Sequence, residues 1–353
     1  MRLAVLGVGL IGGSIGLAAD HIGSADVIGY DSDAETLAAA LRRGAIDVAA
    51  DTLPDALAGA DACFVCAPVG ALPGLVADAL AAAPSDCVVT DVGSTKRAIV
   101  DSVDDERFIG GHPIAGSELA GIEAARADLF EGATWYLTPV ERSSGVLYER
   151  LHQLLVAFGA RPAAIDAMTH DNLLATVSHL PHVLANVLVE SAGAAGGEVP
   201  SVGPSFRDMT RVAGANSAIW TDIYVSNAEA IAKAIDDAAA RLGGIARMLR
   251  ASDAGAIEQW NEEALRERKR LLDSDRAAAP THELRVVVPN RPGVLAELTL
   301  SLGRAGVNIV DLALAPAPDN RSGAITFWVA GAEAAARARD LLEQLGFPTM
   351  GEP

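Results

Sequence analysis

The stretch Leu3–Ser14, LAVLGVGLIGGS, constrains the fold of this chain more than any other. An apolar run from Leu3 to Leu6 meets Gly7-x-Gly9-x-x-Gly12 with no spacer, and Gly13 and Ser14 follow as a small-residue helix start. A buried parallel strand feeding a tight glycine turn and a helix N-terminus is the arrangement that holds a pyrophosphate. The first glycine permits the turn, the second lets the backbone approach the phosphates, and the third lets helix and strand pack closely. The free N–H groups and positive dipole end of the helix then face the anion. Leu10 and Ile11, between the last two glycines, belong to the same cofactor-binding turn. A second expected strand, Val27–Tyr30, ends at Asp31, about twenty residues past the last glycine. A carboxylate there accepts hydrogen bonds from the adenosine ribose hydroxyls and repels a 2′-phosphate. No arginine stands beside it, so the pattern selects NAD over NADP. The alternative is a glycine turn that holds no ligand.

With 353 residues the chain suits two or three domains. Half of the residues are hydrophobic but only 4% are aromatic, so the core must be built from Ala, Val, Leu and Ile. A net charge of −19, with no basic patch along the chain, argues against nucleic acid as a partner. No stretch reaches the uninterrupted run of about 18 apolar residues that a membrane span needs. Three cysteines argue against a disulfide framework and suit a reducing cytoplasm. Cys63 and Cys66 form a C-x-x-C, but in an extended strand residues three apart point to opposite faces, so a redox pair is not expected.

From residue 1 to 164, short apolar runs alternate with Ala-rich helical stretches, as in an α/β Rossmann-type dinucleotide-binding domain. Its expected strands are Leu3–Leu6, Val27–Tyr30, Ala62–Cys66, Cys87–Asp91, Phe108–Gly110 and Trp135–Thr138. Residues 165–275 read as an all-α second domain with helices near Asp166–Ala192, Ser205–Ala213, Ile219–Leu249 and Ser252–Leu271. An Ala/Pro linker, Ala277–Pro280, precedes a third piece, residues 281–353, in the order strand, helix, strand, strand, helix, strand. That order is an α+β ferredoxin-like split βαβ.

Ligands of open α/β sheets bind outside the carboxyl ends of the strands. Cys66-Ala67-Pro68-Val69 is a compact turn at one such end, suited to wall a nicotinamide. Asp91-Val92-Gly93-Ser94-Thr95-Lys96 offers a hydroxyl and an ammonium at another. At a third, Pro113 biases His112 away from helical geometry, which predicts a loop that holds the imidazole at the ligand edge. An alcohol-oxidising general base needs a near-neutral pKa and contact with the hydroxyl, and a histidine at position 112 can supply both.

In the first helix of the second domain, Asp171, Ser178, His182 and Asn186 fall on one stripe, either a solvent face or the lining of a cavity. Pro181 is expected to kink that helix and to help aim His179 and His182. A zinc site is disfavoured because no third ligand stands at suitable spacing. Asp208 and Arg211 are i,i+3, either a surface pair or a site where Arg211 grips a substrate carboxylate. In so acidic a chain, Lys96 and Arg211 are the cations able to attract an anionic substrate.

GxGLIGGS, the C-A-P-V turn, DVGSTK, GGHPIAGSE, HD…SHLPH and RDMTR…W-x-D-I occur in this order. Together they resemble the prephenate dehydrogenase family, including its arogenate-using relatives, over residues 1 to about 275. The tail, with Arg291-Pro292-Gly293-Val294-Leu295 and Gly306-Val307-Asn308-Ile309, resembles an ACT regulatory domain. Thr95 is a modest departure, since Val is expected there. The resemblance implies NAD-dependent oxidative decarboxylation of prephenate, or of arogenate, in tyrosine biosynthesis. His112 is then the base, and Ser94 positions the substrate or the nicotinamide. Arg211 binds a substrate carboxylate, His182 lines the pocket with His179 beside it, and Asp208 and Glu118 shape the pocket mouth. The resemblance also implies a homodimer and an amino-acid effector, such as tyrosine, at the ACT-like domain. Two other readings are a different dehydrogenase with a helical second domain, which lacks a catalytic lysine here, and an NAD- and amino-acid-binding sensor, which leaves His112, Ser94 and Arg211 unexplained.

Overall fold

Five short strands pair in parallel: β1 (Arg2–Leu6), β2 (Asp26–Tyr30), β3 (Val48–Ala49), β4 (Ala62–Val65) and β5 (Val88–Asp91), in the order β3-β2-β1-β4-β5. Leu3 stands beside Val27 and Ala62, and Leu6 beside Tyr30 and Val65. Alternate residues feed two cores, as a parallel sheet covered on both faces requires: Leu3, Val5, Phe64 and Val88 on one face, Ala4, Leu6, Val65 and Val89 on the other. Helices α1 (Leu10–His21), α2 (Ala34–Arg42), α3 (Leu53–Leu57), α4 (Leu72–Ala82) and α5 (Arg97–Ser102) make the connections. Asp33 caps α2 by accepting hydrogen bonds from the N–H groups of Glu35 and Thr36. The structure is a computed structural model. It describes residues 1–23, 26–116, 120–194, 202–276, 281–289, 291, 294–305, 307, 309–316 and 322–350.

A second sheet follows, with β6 (Gly110–Pro113) antiparallel to β7 (Thr134–Thr138) and β7 parallel to β8 (Arg161–Ala164), and with α6 (Gly145–Ala157) between β7 and β8. Here the expected placement needs correction. Phe108 makes only a single bridge to Val89, and the strand runs instead over Gly110-Gly111-His112-Pro113. His112 therefore sits in a strand, paired with Tyr136, and not in a loop. Gly-Gly-His-Pro has little intrinsic strand preference, and pairing with the aromatic Thr134–Thr138 strand overrides it. Strands β3 and β8 have no counterpart in the sequence reading, since one is two residues long and the other contains Arg161 and Pro162.

The helical region begins at α7 (Ala167–Leu174), capped by Asp166, whose carboxylate accepts the Thr169 N–H at 2.9 Å. A π-helical turn, Ala175–His179, leads into α8 (Leu180–Ala194). This turn takes the place of the expected kink: Pro181 has no N–H and crowds the preceding turn, and a widened turn relieves both. By length and composition Ala167–Ala194 passes for a membrane span. It carries four buried polar side chains, His170, Asp171, His179 and His182, all hydrogen-bonded, as in the core helix of a folded domain. Then come α9 (Pro204–Thr210), a 3₁₀ turn at Arg211–Gly214, α10 (Ser217–Ser226) and α11 (Ala228–Arg250). The helix expected over Ile219–Leu249 is thus divided at Asn227, whose side chain donates instead to the Asp171 carbonyl at 2.8 Å.

Contacts divide the chain into two units, Met1–Leu242 and Gly243–Pro353. The second holds α12 (Ala254–Arg276) and then β9 (Thr281–Pro289), α13 (Val294–Arg304), β10 (Ile309–Pro316), β11 (Ser322–Ala330), α14 (Ala332–Gln344) and β12 (Thr349–Met350). Its sheet is antiparallel throughout, in the order β10-β11-β9-β12, the ferredoxin-like arrangement read from the sequence. Leu284, Val286 and Val288 alternate into a core with Leu298, Leu302, Phe327 and Leu342. The linker Ala277–Pro280 and the effector-turn residues Pro292, Gly293, Gly306 and Asn308 lie outside the described residues.

Candidate active site

The glycine turn has the shape a dinucleotide needs. Gly7 has φ +93°, and a Cβ on it would stand 2.2 Å from the Cys66 carbonyl oxygen, so no side chain fits. A Cβ on Gly9 would meet nothing within 4 Å, which leaves open space before the N-terminus of α1. No side chain caps that helix, and its first N–H groups are available to an anion. Asp31 accepts the Val8 N–H and the Asp33 N–H, each at 2.9 Å, which fixes its carboxylate beside the turn. Gly12 is buried, with Leu10 and Ile11 half-buried in the first turn of α1. Cys66 ends β4, and burial, with the Asp91 carboxylate nearby, raises its thiol far above the ordinary range, so it forms a neutral wall. Pro68 and Val69 follow in a single 3₁₀ turn.

Beyond β5 the chain is drawn together by one buried carboxylate. Asp91 accepts the Gly93 N–H at 2.8 Å and the Gly111 N–H at 3.1 Å, and pairs with the Lys96 ammonium. Both side chains of that ion pair are fully buried. Burial lowers the Lys96 pKa, and Asp91 opposes the shift. The Lys96 ammonium is thus held inside the protein against the Asp91 carboxylate. Ser94, half-buried, lies between Gly93 and Thr95, and the Thr95 hydroxyl meets Ser226 at 3.0 Å. Gly111 is required by close approach, since a Cβ there would stand 2.6 Å from the Asp91 carbonyl oxygen.

His112 follows Gly111, and its Nδ1 lies 2.9 Å from His170 Nε2. His170 Nδ1 in turn lies 2.8 Å from Asp171 Oδ1. Asp171 also accepts the N–H groups of Lys96 at 2.8 Å and Arg97 at 2.9 Å, at the start of α5. Burial, followed by the neighbouring His170, Lys96 and His179, holds the His112 pKa well below its ordinary value, so the ring is neutral at neutral pH. A cavity of about 350 Å³ borders His112, with apolar walls from Pro113, Ile114, Leu173 and Val177 and a hydroxyl from Ser178.

Two members of the polar stripe on the first helix face inward, and Ser178 and Asn186 are half-buried. Asp171 and His182 are buried, whereas the apolar Val177, Val187, Leu188 and Val189 are exposed. His182 stacks on Trp220 with ring centroids 3.6 Å apart, and its Nδ1 meets the Tyr224 hydroxyl and, at 3.4 Å, the Asn186 amide. Its Nε2 is buried with no hydrogen-bond partner among the described residues. Burial lowers its pKa. His179 accepts from the Asn227 amide at 3.3 Å and is pushed down to about 4, mainly by burial. Arg211 opens the 3₁₀ turn next to Val212, whose backbone lies against the His182 ring, and both Asp208 and Arg211 are exposed. Glu118 lies outside the described residues.

The sequence reading assigns no role to His170, Asn227, Trp220 or Tyr224. His170 stands beside Asp171 in the HD pair, and a histidine next to a stripe carboxylate was the signal available for it. Trp220 is the first residue of the W-x-D-I motif, whereas Tyr224 and Asn227 carried no signal, because their proximity to the histidines is created by the fold.

Comparison with known proteins gives three domain-level matches: prephenate dehydrogenase, nucleotide-binding domain, over residues 15–163; prephenate dehydrogenase, dimerization domain, over residues 166–263; and an ACT domain over residues 282–347. A prephenate dehydrogenase of Bacillus subtilis is 30% identical over 97% of this chain and 95% of its own length. A crystal structure of prephenate dehydrogenase from A. aeolicus, in complex with hydroxyphenyl propionate and NAD+, superposes with a TM-score of 0.72 at 26% identity, covering 76% of this chain and 98% of that one. The Synechocystis arogenate dehydrogenase structure gives 0.68 at 26% identity, with 77% and 100% covered. With its Rossmann-type sheet, helical domain and C-terminal ACT domain, the chain belongs to the prephenate dehydrogenase family.

Proposed function

We propose that this chain catalyses the NAD-dependent oxidative decarboxylation of prephenate to 4-hydroxyphenylpyruvate. The observation that carries the reading is the placement of His112, neutral and at the wall of a largely apolar cavity, in a chain of this family that also carries an intact dinucleotide turn. Bound along that turn, NAD+ supplies the hydride acceptor for the hydrogen on ring C4. His112 takes the proton of the C4 hydroxyl, the ring carboxylate leaves as CO₂ while its bonding electrons aromatise the ring, and the resulting phenolate oxygen takes the proton back from His112. Apolar walls suit the ring and exclude water, which strengthens the polar contacts that remain. Ser94 positions substrate or nicotinamide. Arg211 binds a substrate carboxylate, Asp208 shapes the pocket mouth, and His182, stacked on Trp220, lines the pocket. His179, held on Asn227, supports this wall from behind. Lys96 acts through Asp91 rather than on the substrate.

The exposed apolar side of α8, with the match to a dimerization domain, supports a homodimer. The ACT domain supports an amino-acid effector, tyrosine being the candidate as the end product. Three free cysteines suit a cytoplasmic enzyme. The test is the initial rate of reduced-cofactor formation with prephenate or arogenate, each with NAD+ or NADP+, with and without tyrosine. A dominant prephenate/NAD+ rate with stoichiometric CO₂ supports the proposal. A dominant arogenate rate changes the substrate but keeps the chemistry, and silence on both from protein that binds NAD+ rejects it.

A further inference from the structure

His112 is joined to two buried groups that none of the foregoing roles uses. The Asp171 carboxylate accepts backbone N–H groups from Lys96 and Arg97, and a carboxylate is an acceptor only. The 2.8 Å contact between Asp171 Oδ1 and His170 Nδ1 therefore needs the proton on the histidine nitrogen. A neutral imidazole has one N–H, so His170 Nε2 presents a lone pair. That lone pair lies 2.9 Å from His112 Nδ1, which must donate to it. The remaining nitrogen of His112, Nε2, is then without a proton. We infer that Asp171 and His170 are positioning residues that lock His112 in the Nδ1–H tautomer, leaving Nε2 as the atom that accepts the substrate's hydroxyl proton.

The inference rests on the reading of His112 as the base. His170 is fully buried and is not part of the cavity wall, so it acts through His112. Its ring is held edge-on against both neighbours, at 69° to His112 and 84° to Tyr136. When Nε2 takes a proton, the Nδ1–H bond to His170 keeps its direction and no side chain has to turn. The Asp171 charge at the far end of the relay then favours the imidazolium. The other titratable groups facing His112 are Lys96, neutralised by Asp91, and His179. The opposite tautomer would point an N–H at the substrate hydroxyl and could not accept its proton. The logic is that of an acid–base histidine oriented by a buried carboxylate, with a second histidine interposed.

The experiment compares kcat, KM and the pH dependence of kcat for the full-length wild type and the variants H112N, H170L, H170Q and D171N, with thermal melts and NAD+ binding as checks on folding. H170L should lower kcat by roughly 10²–10⁴-fold while both KM values stay within about threefold. H170Q returns an acceptor oxygen near the place of Nε2 and should recover roughly 10–150-fold over H170L, the worth of one hydrogen bond to a charged group. D171N should move the acid limb of the kcat profile to lower pH, because the imidazolium loses its distant counter-charge. If H170L retains wild-type kcat, or H170Q is no better than a folded H170L, the relay is overturned and His170 is packing alone. Should H170L fail to fold, the D171N limb decides: a downward shift supports the relay and an unmoved limb overturns it. H112N separates the two claims. A crippled H112N beside an intact H170L rejects only the relay, whereas an unimpaired H112N rejects the base itself and the relay with it.

Discussion

His179 makes a strong demand on stability in acid. Its Nδ1 accepts from Asn227 and the side chain is buried, so adding a proton breaks that bond and places a charge where water cannot reach it. Burial pulls its pKa down from 6.5 to about 4, with His170 and His182 pushing the same way and Asp171 opposing. A histidine with a depressed folded-state pKa leaves stability unchanged above the unfolded value, since both states are then neutral. As pH falls from 6.5 towards 4, the unfolded chain binds a proton that the folded chain refuses, and stability is lost. The slope is about 1.4 kcal/mol per pH unit, and over the whole window the loss comes to about 3 kcal/mol. His179→Asn keeps an acceptor for Asn227 and cannot titrate. Urea unfolding of wild type and variant, followed by far-UV circular dichroism between pH 7 and 4.5, should therefore show the wild type falling more steeply by nearly that slope, with the two curves converging in shape above pH 6.5. Parallel profiles through the window would refute the argument, as would a His179 ring titrating near its ordinary value by NMR.

Two further outcomes follow from the same contacts. Lys96→Met leaves the Asp91 carboxylate buried without its cation and should cost roughly 3–5 kcal/mol of stability, read as a lower urea midpoint; an unchanged midpoint would return Lys96 to the role of a free substrate cation. Arg211→Ala should raise KM for the substrate roughly 10–150-fold, with a smaller change in kcat, as expected for one lost charge-assisted bond in ground-state binding; an unaltered KM would make Arg211 a surface residue.

How much of this was legible in the chain depended on whether a residue's role is local. The Gly7–Gly12 turn and Asp31 act through backbone geometry and sequence spacing, and both stand where the spacing places them. The six elements of the C-terminal domain were equally readable, because alternation in Leu284–Val288 and helical periodicity around Leu298 are properties of short windows. His112 could be singled out as a candidate, but its setting could not. Gly110–Pro113 reads as loop, and only the aromatic partner strand makes it a strand. That Lys96 is fully buried against Asp91, five positions earlier, was likewise hidden, because spacing does not show which side chains a strand end and the following turn bring together. The stripe of Asp171, Ser178, His182 and Asn186 could be read as solvent face or cavity lining, and only the fold shows Asp171 and His182 buried while Val177, Val187, Leu188 and Val189 are exposed. His170 needed a partner 58 positions away.

Asp171 reaches out of α7 to the two peptide N–H groups that open α5, and on its other side it holds His170. The same carboxylate is thus a latch between the helical region and the nucleotide-binding sheet and an anchor for the imidazole pair. A displacement of α7 from α5 by more than the reach of a hydrogen bond would unfasten both at once. Seating of the helical region on the sheet and orientation of the imidazole pair therefore share one side chain, and neither can be lost at Asp171 without the other.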